Sequence, residues 1–218
     1  MSHSQTEENY LKVIYQLSQS HPDGVTTKSI SQRLNIKAPT VSDMLKRLSA
    51  KKLIRHARYK GVTLTQKGIK VALTVIRKHR LWETFLVEKF KFKWDEVHDI
   101  AEQLEHIQSP VLVNRLDEYL GFPSFDPHGD PIPTKEGLIN SRYEKTLDQI
   151  TEGSSVEIVS VRDHSSKFLQ YLESLSIQIG TRVKVVRRID YDHSVVIETD
   201  DQMEKSLSQR VCANLFVK

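Results

Sequence analysis

Thr26-Thr27-Lys28-Ser29-Ile30-Ser31-Gln32-Arg33-Leu34, then Asn35-Ile36-Lys37, then Ala38-Pro39-Thr40-Val41-Ser42-Asp43-Met44-Leu45-Lys46-Arg47-Leu48-Ser49-Ala50, is the stretch that decides the fold. Thr26 suits the N-cap of a short helix because its hydroxyl can accept an amide left unpaired in the first turn. Asn35-Ile36-Lys37 is a tight connection, and Pro39 suits the first turn of a second helix running to about Ala50. In that helix Val41, Leu45 and Leu48 share the inward face, leaving Thr40, Ser42, Asp43, Lys46 and Arg47 outward. The pattern is a helix-turn-helix.

The flanks extend it. Upstream, Tyr10, Val13, Ile14 and Leu17 recur at helical spacing until the turn His21-Pro22-Asp23-Gly24. Downstream, residues 53–65 read as two short strands about a basic turn, which makes a wing. Lys37 and Pro39 at the start of the second helix, with Thr40, Ser42, Asp43, Lys46 and Arg47, are the candidate groove-facing residues. Arg55, Arg58 and Lys60 of the wing are candidate phosphate contacts, giving affinity and salt dependence rather than sequence reading.

Charge supports double-stranded DNA as the partner. The net +4 of the 218-residue chain is unevenly spread. Residues 1–80 carry 16 Lys and Arg against 4 Asp and Glu, whereas residues 81–150 carry 7 against 14. A solvated surface explains one lysine but not this excess on a winged motif, and the acidic middle third is suited to attract cations. The single cysteine, Cys212, allows no internal disulfide. Apolar runs fall short of the roughly 20 residues that span a bilayer, and the polar start argues against a signal peptide, so the expectation is a cytoplasmic protein without a membrane partner.

A long helix continues from Gln66 through Val71, Val75, His79, Trp82, Leu86 and Phe90, with His79 and Glu83 on one face. Residues 95–107 read as one further helix. Val97, Ile100, Ala101, Leu104 and Ile107 form its apolar stripe, while His98, Glu102, Glu105 and His106 crowd another side. Alone, that side reads as solvated. Beside the His79/Glu83 face and the acidic charge, it reads as nitrogen and oxygen donors for a divalent metal.

Glu8 to Tyr15, Ala38 to Ser42, Gly61 to Gly68, Arg77 to Glu83 and Val97-His98 through Glu105-His106, ending in Gly129-Asp130-Pro131-Ile132-Pro133, occur in order over most of residues 7–133. In these motifs the chain resembles the diphtheria toxin repressor and manganese transport regulator family of metal-dependent transcriptional repressors. The resemblance implies a homodimer that binds a palindromic operator with metal as corepressor. It implies a primary site of Asn9, Glu102, Glu105 and His106 and a second of His79, Glu83 and His98, with Asp163 and His164 of the last domain within reach of the latter. Glu102, where iron-responsive members have Cys, favours Mn(II) over Fe(II). Asn9 matches neither group, and Lys12 stands where some manganese regulators have a second carboxylate, which argues against a closely spaced metal pair.

Residues 121–133 hold four of the seven prolines and close the helical part as a loop. Beyond them, Val156 to Val161, Thr181 to Ile189, Ser194 to Thr199 and Arg210 to Val217 read as strands, and Lys167 to Leu175 as a short helix. The expected fold is multidomain and mainly α in its N-terminal part: a winged helix-turn-helix (1–70) and a helical dimerisation and metal-binding domain (71–140). A linker (141–153) and a small SH3-like β-barrel of FeoA type (154–218) follow. The expected function is Mn(II)-activated control of metal-uptake genes, with Fe(II) as the alternative. A metal-independent winged-helix regulator and a metallohydrolase are competing readings, and the second lacks a recognisable nucleophile or substrate pocket.

Overall fold

The computed structural model describes residues 3–21, 23–57, 61–139 and 143–218. The chain divides into two compact units, neither contiguous. The first takes residues 1–79, 103–114 and 133–138, and the second takes residues 80–102, 115–132 and 139–218.

In the first unit, α1 (Gln5–Ser18) opens with a capping box: the Ser4 hydroxyl accepts from the Glu7 amide and the Glu7 carboxylate accepts from the Ser4 amide. Next comes α2 (Thr27–Leu34), whose Thr26 hydroxyl accepts from the Ser29 amide at 3.0 Å. Asn35 takes the left-handed conformation (φ 53°), which turns the chain into α3 (Ala38–Ala50). Strands β1 (Ile54–Ala57) and β2 (Gly61–Leu64) pair antiparallel with Ile54 opposite Leu64, and Val25 adds a bridge to Val62. One core joins these elements: Tyr10, Leu11 and Ile14 of α1 meet Ile30, Val41, Leu45, Leu48, Leu53, Val62 and Ala72. Truncating Leu45 or Leu48, both fully buried, removes about 2–5 kcal/mol.

From Gln66 the chain forms α4 (Gln66–Phe90), and the division between the units falls within it, after His79. The helix expected over 95–107 is shorter, α5 (His98–Leu104). Its amide ladder begins with Ala101 bonding to the Val97 carbonyl, and the Asp95 carbonyl is instead taken by the Ser166 hydroxyl at 2.9 Å. At the other end, Ile107 bonds back to Leu104, a tighter i to i+3 turn that stops the helix. Then α6 (Pro110–Tyr119) follows, with Pro110 at its first position.

The second unit is built on a five-stranded antiparallel sheet in the order β6-β5-β4-β3-β7. Its strands are β3 (Ser155–Val161), β4 (Arg182–Arg188), β5 (Val195–Thr199), β6 (Glu204–Leu207) and β7 (Leu215–Val217). Helix α7 (Ser166–Ser174) buries Leu169 and Leu172 among Ile158, Val183, Val185, Ile197 and Leu215. The strand expected over 210–217 is cut back. Ser208 caps a helical turn, α8 (Gln209–Cys212), by accepting from the Val211 amide, and only residues 215–217 extend.

Candidate metal centre and nucleic-acid interface

The candidate DNA-facing side of the first unit follows from α3. Pro39, Thr40, Asp43, Lys46 and Arg47 are exposed, opposite the buried Val41, Met44, Leu45 and Leu48. Lys37 is exposed and makes no side-chain cap bond. Ser42 is half-buried and its hydroxyl donates to the Ala38 carbonyl at 3.0 Å, so it is engaged within the helix. Arg55 is exposed on β1; Arg58 and Lys60 lie outside the described residues.

Within the same unit, Glu105 is wholly buried. Its Oε2 accepts from Lys12 Nζ at 2.9 Å and from His79 Nδ1 at 2.6 Å, and its Oε1 lies 2.7 Å from the same ammonium as an ion pair. Its neighbour His106 places Nδ1 2.7 Å from Glu8 Oε2 and Nε2 3.6 Å from Glu105 Oε1. Glu8 also accepts from Gln108 Nε2 at 2.7 Å, and Lys78 Nζ stands 3.8 Å away. Burial pulls the Lys78 pKa down, against the opposing charges of Glu8 and Glu105. Glu8 of α1 and His79 of α4 thus meet Glu105 and His106 of the turn that follows α5. Sequence reasoning named Asn9 on α1 and passed over Glu8; the Glu8/Lys12 spacing of four, which puts an acid and a base on one face, was the available signal. Asn9 Oδ1 is buried without a hydrogen-bond partner among the described residues. A stranded carboxamide oxygen costs free energy unless something binds it.

The second unit contains a cluster of its own. His98 Nδ1 lies 3.4 Å from Glu83 Oε1, and its Nε2 lies 3.7 Å from the exposed Glu102. Glu83, Asp126 and His128, all buried, each offer a donor atom within 4.8 Å of the others. The loop Asp126-Pro127-His128-Gly129-Asp130 builds this geometry itself. Asp126 Oδ1 accepts from the amides of His128 (2.8 Å) and Asp130 (3.0 Å), and Gly129 takes φ +80°. A Cβ on Gly129 would come within 1.9 Å of the Val159 carbonyl, so glycine lets the loop lie against β3.

His128 Nε2 donates to the Trp94 carbonyl at 2.8 Å, which leaves Nδ1 facing Glu83 Oε2 at 3.6 Å. Fixing one ring nitrogen on a carbonyl and presenting the other is how a ligating histidine is held. Burial opposes the charged imidazole, but the Glu83 carboxylate, with Asp126 behind it, outweighs this and pushes the His128 pKa up to about 9. Burial first, then the charges of Asp130 and Glu83, push the Asp126 carboxyl up to about 7. A proton is held where the carboxylates lack enough positive charge. The Arg80 guanidinium, which pairs with both Asp126 and Asp130, meets part of that demand. His164 stacks on His128 with centroids 4.7 Å apart, and burial followed by the charge of His128 lowers its pKa. Asp163 is turned to the start of α7, accepting from the Ser165 amide at 2.9 Å.

Both clusters offer oxygen and nitrogen donors, which fit a hard to intermediate divalent ion. Sequence reasoning missed Asp126 and His128 as donors because Glu83 lies 43 and 45 positions away.

Comparison with known proteins identifies the domains along the chain. Residues 3–62 match the iron dependent repressor, N-terminal DNA binding domain; residues 65–134 match the iron dependent repressor, metal binding and dimerisation domain; residues 145–218 match the FeoA domain. The iron-dependent repressor IdeR of Mycobacterium tuberculosis is 40% identical over 130 residues, 59% of this chain; the matched stretch spans about half (55%) of that relative's length. The diphtheria toxin repressor of Corynebacterium diphtheriae is 31% identical over 196 residues, 84% of this chain and 85% of that protein. A manganese-dependent transcriptional repressor solved in complex with manganese superposes with a TM-score of 0.87 at 35% identity, covering 97% of this chain and 98% of its own. With a DNA-binding domain, a metal-binding and dimerisation domain and a FeoA domain in the same order as its motifs, the chain belongs to the diphtheria toxin repressor family of DNA-binding transcriptional repressors, not to an enzyme family.

Proposed function

We propose that this protein is a homodimeric, Mn(II)-activated repressor of metal-uptake genes that acts in the cytoplasm on a palindromic operator. The carrying observation is the junction of Glu8 on α1 with His106, beside the Lys12–Glu105 pair. Through it, the first helix of the DNA-binding domain is joined to the residues expected to hold the regulatory ion.

Asn9, Glu102, Glu105 and His106 are assigned to the primary site, with Glu8 beside them; Glu102 enters on the family resemblance, since it stands 3.7 Å from His98. His79, Glu83 and His98 are assigned to a second site. Asp126 and His128 are added as donors next to Glu83, with Asp163 and His164 at its margin. A bound divalent ion supplies the positive charge that these donors otherwise obtain from Lys12, Arg80 and protons. Glu8 and Glu105 then hold α1 in one arrangement, and His106 bridges them. Repression follows by linkage, to the extent that the ion binds the DNA-competent arrangement more tightly than the alternative.

Manganese is favoured over Fe(II) because Glu102 stands where iron-responsive members of the family have Cys; the carboxylate, carboxamide and imidazole donors by themselves suit either ion. The manganese complex of the structural relative supports the same choice. Self-association is supported by exposed apolar side chains, Phe90, Tyr119 and Phe122 in the second unit and Val111 and Leu112 on α6.

The test is operator binding at fixed salt, titrated with Mn(II) and with anaerobic Fe(II). Manganese is expected to raise affinity at lower free concentration than iron, and the double variant Glu105→Ala, His106→Ala should abolish the gain. Equal activation by both ions removes the manganese preference. A double variant that still responds to metal removes the site assignment.

A further inference from the structure

Between Asp23 and Glu83 the sequence contains a single acidic residue, Asp43, among 15 lysines and arginines. It lies on the exposed face of α3, its side chain 74% exposed, one turn beyond Pro39 and Thr40. A carboxylate on a surface that meets phosphates weakens binding by repulsion. Two ordinary reasons for it fail. Asp43 is the sixth residue of α3, past the first turn where an acid gains from the helix dipole. Its ion pair with Lys46, 3.1 Å away at i to i+3, is fully in solvent and adds only a few tenths of a kcal/mol.

We propose that Asp43 and Lys46 together read one cytosine–guanine pair in each operator half-site. This rests on the DNA-binding reading above. In the major groove, cytosine presents an N4 amino donor, whereas guanine presents two acceptors, O6 and N7, and thymine an acceptor and a methyl group. A carboxylate accepts from cytosine and is repelled by guanine and thymine. Adenine's amino group sits beside the N7 acceptor, so a carboxylate gains one bond there against one repulsion. The cytosine amino group and the guanine O6 lie side by side across their base pair. An acid and an ammonium 3.1 Å apart on one helix face therefore match it, with Asp43 on the cytosine and Lys46 on guanine O6 and N7. The repulsion from phosphate is offset at one base pair and remains at the others, which is how a specificity-determining residue acts.

The experiment selects bound sequences from a randomised half-site library, using manganese-loaded protein at fixed salt, and compares wild type with Asp43→Asn and Asp43→Ala. Asp43 is solvent-exposed, and thermal melting establishes that the variants are folded. Wild type is expected to show one position per half-site at which cytosine is favoured about tenfold. Asp43→Asn should move that position to adenine, whose N6 and N7 a carboxamide matches, while Asp43→Ala should flatten it; the other positions should keep their profile. If both variants retain the wild-type profile and only gain affinity uniformly, Asp43 reads no base and the proposal is overturned. Wild type that selects no sequence with manganese, iron or zinc overturns the repressor reading itself, a result distinguishable from the previous one.

Discussion

The ammonium of Lys12 straddles the buried carboxylate of Glu105, 2.7 Å from one oxygen and 2.9 Å from the other. A tethered monovalent cation thus occupies both oxygens of a proposed metal ligand. Removing one partner of a buried pair strands the other charge. Lys12→Met is expected to lose about 3–5 kcal/mol of stability in chelator. Saturating manganese should then return more stability to Lys12→Met than it adds to wild type, since no ammonium competes for Glu105. Urea denaturation in chelator and in manganese measures both quantities. Equal gains in the two proteins would show that Lys12 and metal do not compete.

Acidity gives a second prediction. In the metal-free protein His128 is pushed up to about 9 from 6.5, so its stabilising contribution is complete below pH 6.5 and disappears as pH rises through 9. Asp126, up to about 7 from 3.8, acts in the same direction. Folded protein keeps a proton that unfolded chain has lost, so stability falls between pH 3.8 and about 7. Denaturation in chelator, followed by the fluorescence of Trp94, which stacks near His128, should show stability declining across pH 6.5 to 9. His128→Gln should flatten that decline. A wild-type profile that is level or rising over this window contradicts the assignment.

The Asp126–Asp130 loop offers a third. Gly129 and Gly121 both adopt positive φ, +80° and +74°, but a Cβ has free space at Gly121 and meets the Val159 carbonyl at Gly129. Gly121→Ala should cost about 1 kcal/mol from backbone conformation. Gly129→Ala should cost at least about 2 kcal/mol more, since loop or strand must shift. Thermal unfolding of the pair measures the difference, and matching losses would mean that the close approach contributes nothing.

Much of this was legible in the sequence where the signal is local. Thr26 capping, Pro39 at a helix start and the Val41/Leu45/Leu48 stripe need only neighbours within a turn or two, and α2 and α3 form where those residues imply. Residues 95–97 read as helix by period, yet Asp95 is held by Ser166 and Gln170, about 70 positions downstream. Helix α6 went unread because Val111 and Leu112, as apolar as the buried Val113 and Leu116, are exposed and blur the stripe. The turn at 209–212 looked like strand until Ser208 is seen to cap it. The donor types in the metal-binding region were readable from helix faces. Glu8 against His106 and Glu83 against His128 were not, because pairs separated by 98 and 45 residues meet through tertiary packing.

The interleaved division of the chain bears on how it is made. The winged-helix core draws on residues up to Ala72, so it can assemble early in synthesis, as domains generally do from the N-terminus. Glu105 and His106 emerge later, and the first unit is complete only at residue 138. The second unit waits for the sheet that ends at Val217. The residues that Lys12 and Glu8 meet in the folded chain, Glu105, His106 and Gln108, are made well after that core. The nascent protein therefore passes through a stage in which the winged-helix core can be formed while residues proposed to hold the metal are still to be made.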